Sequence, residues 1–131
     1  MLDALHRLLI DDSRVAFALV FGSSARGSAG PLSDLDVAIG ASVGHLFSIA
    51  ELGGLVAQIE RVARRPVDLV LLDEAPPALA FRVFRDGHVV AVRDARALAN
   101  RRAKAILDYL DFQPIEDLCT RGVLDVAARG R

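Results

Sequence analysis

The sequence has little that suits an exported or membrane-bound protein. Its 131 residues include one cysteine, Cys119, so the chain can form no internal disulfide, and this fits a reducing cytoplasm. We interpret Cys119 as a small core residue on an apolar helix face rather than as a nucleophile. No apolar run is long enough to span a bilayer, and no charged-then-apolar segment typical of an export signal stands at the N-terminus.

The charge balance and the length exclude further classes. The formal net charge is −1, whereas a dedicated nucleic-acid binder is usually basic, so we expect no direct nucleic-acid partner. No internal repeat and no low-complexity tract interrupts the chain. A length of 131 residues suits one domain, and 53% hydrophobic residues are ample for its core. We therefore expect a single cytoplasmic domain over residues 1–131.

Apolar periodicity predicts helices alternating with strands. The stretch 15–21 is apolar on both faces and should lie centrally in a sheet. Ser48 and Glu51 have the spacing of a helix capping box. Gly53-Gly54 weakens that helix, so either a neighbour packs closely there or the helix begins later. The predicted strands are 15–21, 34–40, 66–72 and 88–93, and the predicted helices are 2–10, 48–64, 75–86, 94–111 and one that restarts at Pro114.

One stretch, residues 20–37, combines features of a phosphate site. The first strand breaks at Gly22, whose backbone freedom lets a polyphosphate approach the main chain. Ser23 and Ser24 should then begin a short helix, where free N–H groups and the helix dipole favour anions. Arg26 follows one turn on and can neutralise phosphate charge.

The same stretch ends on two carboxylates, Asp34 and Asp36. In a strand they share one face, roughly 7 Å apart, and repel each other unless a cation lies between them. Mg²⁺ fits, because it binds carboxylate oxygens and leaves room for phosphate oxygens. The alternative is an ordinary strand, turn and strand whose two aspartates are solvated, and we disfavour it because aspartate is disfavoured in strands and two on one face need a reason.

This pattern of Gly-Ser, ten residues and Asp-x-Asp resembles the signature of the DNA polymerase beta-like nucleotidyltransferase superfamily. The fuller match, Gly-Ser-Ser-Ala-Arg-Gly at 22–27 followed by Ser-Asp-Leu-Asp at 33–36, resembles the minimal nucleotidyltransferases. Only residues 20–40 are diagnostic. The resemblance implies an α/β (α+β) fold: a small mixed central sheet of about four strands, with its helices mainly on one face.

The resemblance also implies a third carboxylate on the strand beside the Asp-x-Asp strand. Asp68 matches that position in order and context. Asp73 is the alternative, but it lies at the strand's end, where it can cap the next helix, so we favour Asp68. The expected metal ligands and catalytic residues are then Asp34, Asp36 and Asp68. The expected nucleotide-binding residues are Gly22, Ser23, Ser24 and Arg26.

The activity that the resemblance implies is Mg²⁺-dependent transfer of AMP from ATP to a hydroxyl. Minimal nucleotidyltransferases are typically antitoxins that modify a tyrosine of a partner HEPN-domain toxin ribonuclease and so block it. Two other hypotheses are a non-catalytic antitoxin that masks its toxin, and an enzyme that modifies a small molecule such as an aminoglycoside. The nucleobase preference stays open, as do the roles of His6, His45 and His88.

Overall fold

The computed structural model describes residues 1–22 and 34–111, and these form four strands and four helices. The predicted helix from Pro114 and Cys119 lie outside the described residues. Most predicted elements agree with the structure within one or two residues at each end. The elements are α1 (Leu2–Ile10), β1 (Val15–Phe21), β2 (Leu35–Ala41), α2 (Ile49–Ala63), β3 (Val67–Leu71), α3 (Pro77–Asp86), β4 (His88–Val92) and α4 (95–111).

The four strands form one mixed sheet in the order β3-β2-β1-β4. The inner strand β1 pairs antiparallel with both β2 and β4, and β2 pairs parallel with β3. Residues 15–20 of β1 are all buried, as expected of a strand covered on both faces. The predicted central position of β1 is therefore confirmed, and so is the predicted mixed sheet of about four strands.

Helices cover both faces of the sheet, so the prediction that they pack mainly on one face is wrong. The helices α1 and α2 pack on one face, and α3 and α4 pack on the other. The reason lies in β1 and β2, whose apolar residues point both ways and need cover on both sides. Side chains of the first core include Leu5, Leu9, Val37, Ile39, Leu55 and Ile59, and those of the second include Phe17, Leu19, Ala38, Ala80, Val83 and Ala105.

Helix α2 begins at the predicted capping box. The Ser48 hydroxyl accepts the Glu51 N–H at 3.1 Å, and the Glu51 carboxylate accepts the Ser48 N–H at 2.9 Å. The helix then runs through Gly53-Gly54, and no other part of the described structure lies within 4 Å of where a Cβ would stand at either glycine. Both expectations for this pair are therefore wrong, because the cap at Ser48 fixes the helix start ahead of the glycines.

An ionic cluster joins the start of β1 to the start of α2. The Asp12 carboxylate accepts hydrogen bonds from Arg14 Nε at 2.9 Å and Nη2 at 2.7 Å, and Arg14 Nη1 lies 3.6 Å from Glu51. The hydrogen bond from Arg14 lowers the pKa of Asp12 from its ordinary 3.8. A carboxyl group with a lowered pKa stabilises the fold above its ordinary pKa, and this stabilisation is lost as pH falls through the folded value.

We expect Asp12→Asn to lower the free energy of unfolding at neutral pH by about 1.5 kcal/mol, the lower end of the scale for a hydrogen bond between charged groups. Near pH 3 the difference between variant and wild type should shrink, because protonation removes the same bond from the wild type. Urea denaturation at both pH values measures this. The exposed Asp3 provides the control variant Asp3→Asn. A stability difference that does not change with pH would contradict the role given to Asp12.

Candidate active site

At the end of β1, Gly22 lies against the side chain of Asp36. Gly22 has φ 71°, in the left-handed region that favours glycine. A Cβ built on Gly22 would overlap the Asp36 Oδ2 atom and lie 3.1 Å from its Cγ. Glycine is therefore needed here for its backbone angle and for the close approach to a carboxylate. The other predicted phosphate-binding residues, Ser23, Ser24 and Arg26, lie outside the described residues.

The parallel pairing of β2 with β3 places Asp36 directly beside Asp68. Neighbouring strands lie about 4.8 Å apart and residues in register point to the same face. The residues on either side of Asp36, Leu35 and Val37, are buried in the core under α1 and α2, so Asp36 points to the opposite face. Asp36 is half-buried and Asp68 is exposed. The two carboxylates therefore share one face at the end of the sheet where β2 and β3 begin, and we call this end, with Asp34, Asp36 and Asp68, the acidic edge.

Asp34 lies one residue before β2 and is exposed. The predicted strand 34–40 is thus shifted by one residue, and Asp34 stands at the strand's entry. Within residues 1–22 and 34–111, no three carboxylate, imidazole or thiol groups lie close enough together to hold a metal ion. The donor chemistry nevertheless fits Mg²⁺, because carboxylates on neighbouring strands present the hard oxygen ligands it prefers.

Asp73 lies beyond the opposite end of β3, next to the end of β2. Its Oδ1 accepts the Ala41 N–H at 2.9 Å, and its Oδ2 accepts a hydrogen bond from Arg101 Nη2 at 3.0 Å. It therefore ties the end of β2 to α4 instead of capping the next helix. The strand from Asp68 to Leu71 spans about 10 Å, and Asp73 lies two residues further on, in a turn. Of the two candidates for the third carboxylate, the structure brings Asp68 beside Asp36.

A cavity of about 600 Å³ lies near Asp73 at the end of β2, and nothing in the sequence indicated it. Phe17 and Gly40 line it together with Asn100, Arg101 and Lys104 of α4. Two aliphatic side chains on its loop, Val43 and Leu46, are 89% and 92% exposed. Because the cavity lies at the opposite end of β2 from Asp36, it is separate from the acidic edge.

His6 and His45, which the sequence left unassigned, make contacts that join separate parts of the fold. His6 Nδ1 donates to the Val90 carbonyl at 2.7 Å and so ties α1 to β4. His45 Nε2 lies 3.2 Å from the Glu51 carboxylate, and its ring packs edge-on against Phe47. His88 begins β4, where it pairs with Val20.

The family profile of the polymerase beta nucleotidyltransferases matches residues 3–96. The chain therefore belongs to the polymerase beta nucleotidyltransferase family, as the signature at 22–36 predicted. Among curated proteins, none is significantly similar in sequence to this chain.

Several solved structures share the fold. A chain of a toxin–antitoxin crystal structure with AMP-PNP has a TM-score of 0.80 and 22% identity, over 94% of this chain and 98% of that chain. A chain of the toxin–antitoxin MntA–HepT has a TM-score of 0.74 and 20% identity, over 94% and 96% of the two chains. A chain in a rebuilt structure of a tri-AMPylated Shewanella oneidensis HEPN toxin in complex with MNT antitoxin has a TM-score of 0.75 and 20% identity. The match covers 94% of this chain and 95% of that chain. These likenesses confirm the predicted nucleotidyltransferase fold.

None of the helices in the described part of the chain is long and apolar enough to cross a membrane.

Proposed function

We propose that this protein is an antitoxin that transfers AMP from ATP to a tyrosine hydroxyl of its partner, a HEPN-domain toxin ribonuclease. The observation that carries the proposal is the pairing of Asp36 with Asp68 next to Gly22, at the end of the sheet where β2 and β3 begin. Family membership supports nucleotidyl transfer. Structures of the same fold that hold AMP-PNP or an AMPylated HEPN toxin support ATP as donor and a HEPN protein as partner.

The acidic edge would hold Mg²⁺ through the carboxylates of Asp34, Asp36 and Asp68. When bound, the metal would offset negative charge on the triphosphate and on the leaving pyrophosphate. Asp36 is only half-buried, and Asp34 and Asp68 are exposed, so their carboxylates are accessible to solvent and to a nucleotide. The absence of a side chain at Gly22 lets the Asp36 carboxylate lie against the main chain at the end of β1.

The remaining residues have roles in binding and proton transfer. The N–H groups and hydroxyls of Ser23 and Ser24, together with Arg26, would hold the β and γ phosphates. The acceptor hydroxyl oxygen forms a bond to the α-phosphorus, and the bond from that phosphorus to the bridging oxygen breaks, so pyrophosphate leaves. Asp68 would accept the hydroxyl proton as a general base, in addition to its part in the metal site.

A protein acceptor suits the described residues better than a small molecule. The cavity of about 600 Å³ lies at the opposite end of β2, so it provides no acceptor pocket beside Asp36 and Asp68. A docked protein can present its own hydroxyl in line with the α-phosphate, and positioning of this kind supplies much of a rate enhancement. A single domain over residues 1–131 and a cytoplasmic location are part of the same proposal, and the matches over 94% of the chain support the former.

Labelling with ATP that carries a radioactive α-phosphate tests which acceptor is used. We expect label on a HEPN-domain protein of the same genome in the presence of Mg²⁺, and none on an aminoglycoside mixture. Omitting Mg²⁺ should remove the label. Label on the aminoglycosides instead would contradict the proposed acceptor and identify a small-molecule enzyme.

A further inference from the structure

We infer that Glu60 is a positioning residue that sets the place of Asp68 at the acidic edge. Glu60 lies in the last turn of α2, where it accepts the last helical hydrogen bond and makes one side-chain hydrogen bond across the connection to β3. Its main-chain carbonyl accepts the Arg64 N–H at 2.8 Å. Its carboxylate Oε2 accepts the N–H of Val67, the first residue of β3, at 3.0 Å. The inference rests on the proposed function, because it concerns the same site.

The connection between α2 and β3 is short, and few other hydrogen bonds hold it. Arg64 ends the helix in the left-handed conformation, with φ 57°. Arg65 has a buried Nε atom without a hydrogen-bond partner. Pro66 has no N–H to donate, and its carbonyl accepts the Leu35 N–H at 2.9 Å. The Glu60 carboxylate is therefore the side-chain group that joins the helix to the start of β3 in the described structure.

The place of this hydrogen bond matters because β3 is an edge strand. Among the described strands it pairs with β2 alone, so within residues 1–22 and 34–111 no strand lies on the other side of its backbone. Val67 stands opposite Leu35, and the next residue pair along the ladder is Asp68 and Asp36. A bond that holds Val67 from the open side therefore fixes the strand immediately before the carboxylate. Loosening the strand start would let Asp68 move relative to Asp36, and a shift of about 1 Å at a reacting group can cost about 10²-fold in rate.

Two substitutions separate positioning through the hydrogen bond from an effect of charge. Glu60→Ala removes the acceptor, and we expect kcat for AMP transfer to fall by about tenfold or more with little change in KM for ATP. Glu60→Gln keeps an oxygen that accepts the Val67 N–H, so its kcat should stay within about twofold of the wild type. Rates are compared at a temperature where circular dichroism shows every variant to be folded.

A control variant comes from the other edge of the sheet. Asp94 Oδ1 accepts the Ala97 N–H at 3.1 Å at the start of α4, so Asp94→Ala removes a bond of the same kind away from the acidic edge. We expect it to lower thermal stability and leave kcat unchanged. Hydrogen–deuterium exchange without metal or nucleotide gives a second readout: the Val67 and Asp68 amides should exchange faster in Glu60→Ala and unchanged in Glu60→Gln and Asp94→Ala.

The outcomes distinguish this inference from the proposed function. Absence of transfer by the wild type contradicts the proposed function, and the exchange measurement then tests the Glu60 contact by itself. If the wild type transfers AMP, a kcat of Glu60→Ala equal to that of Asp94→Ala overturns the inference. A kcat of Glu60→Gln as low as that of Glu60→Ala overturns it as well, since charge and not the hydrogen bond would then be responsible. Unchanged exchange at Val67 in Glu60→Ala has the same consequence.

Discussion

Replacing Asp34 and Asp36 together by asparagine should abolish Mg²⁺-dependent ATP binding and AMP transfer while the fold stays intact. An amide oxygen carries no net charge, so the pair would lose most of its attraction for a divalent cation. Neither side chain is part of the buried core, and both stand at the start of the inner strand β2. Removing two neighbouring negative charges should leave the metal-free protein as stable as the wild type, or more stable.

Isothermal titration calorimetry with MgATP measures the loss of binding, and thermal denaturation without metal measures stability. The matched control is Asp3→Asn with Asp11→Asn, because it makes the same charge change at exposed positions of α1 and its end. The control should bind MgATP like the wild type. Unchanged MgATP affinity in the Asp34/Asp36 variant would show that these carboxylates do not hold the metal.

Asp68→Asn should lower the rate of AMP transfer by at least about 10²-fold, the usual scale for the loss of a general base. Asp73→Asn should change that rate little, because Asp73 accepts hydrogen bonds from Ala41 and Arg101 at the opposite end of β2 from Asp36. Asp73→Asn should instead lower the thermal stability slightly, since the Arg101 guanidinium loses its ion-pair partner, and thermal denaturation measures this. Single-turnover transfer at saturating MgATP compares the two variants directly.

The pair Asp68→Asn and Asp73→Asn forms its own control, because both variants change an exposed aspartate to the isosteric amide. The reverse ranking of transfer rates would assign the third carboxylate to Asp73. Equal and small effects would contradict a third carboxylate on this strand altogether.

Much of the fold follows from local patterns in the sequence. The period of the apolar residues predicts β1 at 15–21 within the observed bounds, and its two apolar faces predict its central place. The spacing of Ser48 and Glu51 predicts the start of α2. The order of the strands also favours Asp68 over Asp73, and the register that pairs Asp36 with Asp68 agrees with it. These features depend on neighbouring residues or on strand periodicity.

The rest depends on contacts between residues far apart in the chain. The sequence does not show that Asp73 binds Arg101, 28 residues away, or that α3 and α4 cover the second face of the sheet. The hydrogen bond from the Val67 N–H to Glu60 cannot be predicted from the sequence either, because a glutamate in the last turn of a helix has no distinctive pattern. The cavity beside Phe17 forms between the loop after β2 and α4, which only the tertiary structure brings together.

The intact mass of a HEPN-domain partner, measured after incubation with this protein, ATP and Mg²⁺, tests the central claim most directly. We expect the mass to rise by one or more AMP units, and fragmentation should map them to a tyrosine. The Asp34/Asp36 variant should still bind the partner in a pull-down and leave its mass unchanged. An unchanged partner mass together with full inhibition of its ribonuclease activity by the wild-type protein would contradict the enzymatic account and identify an antitoxin that acts by masking.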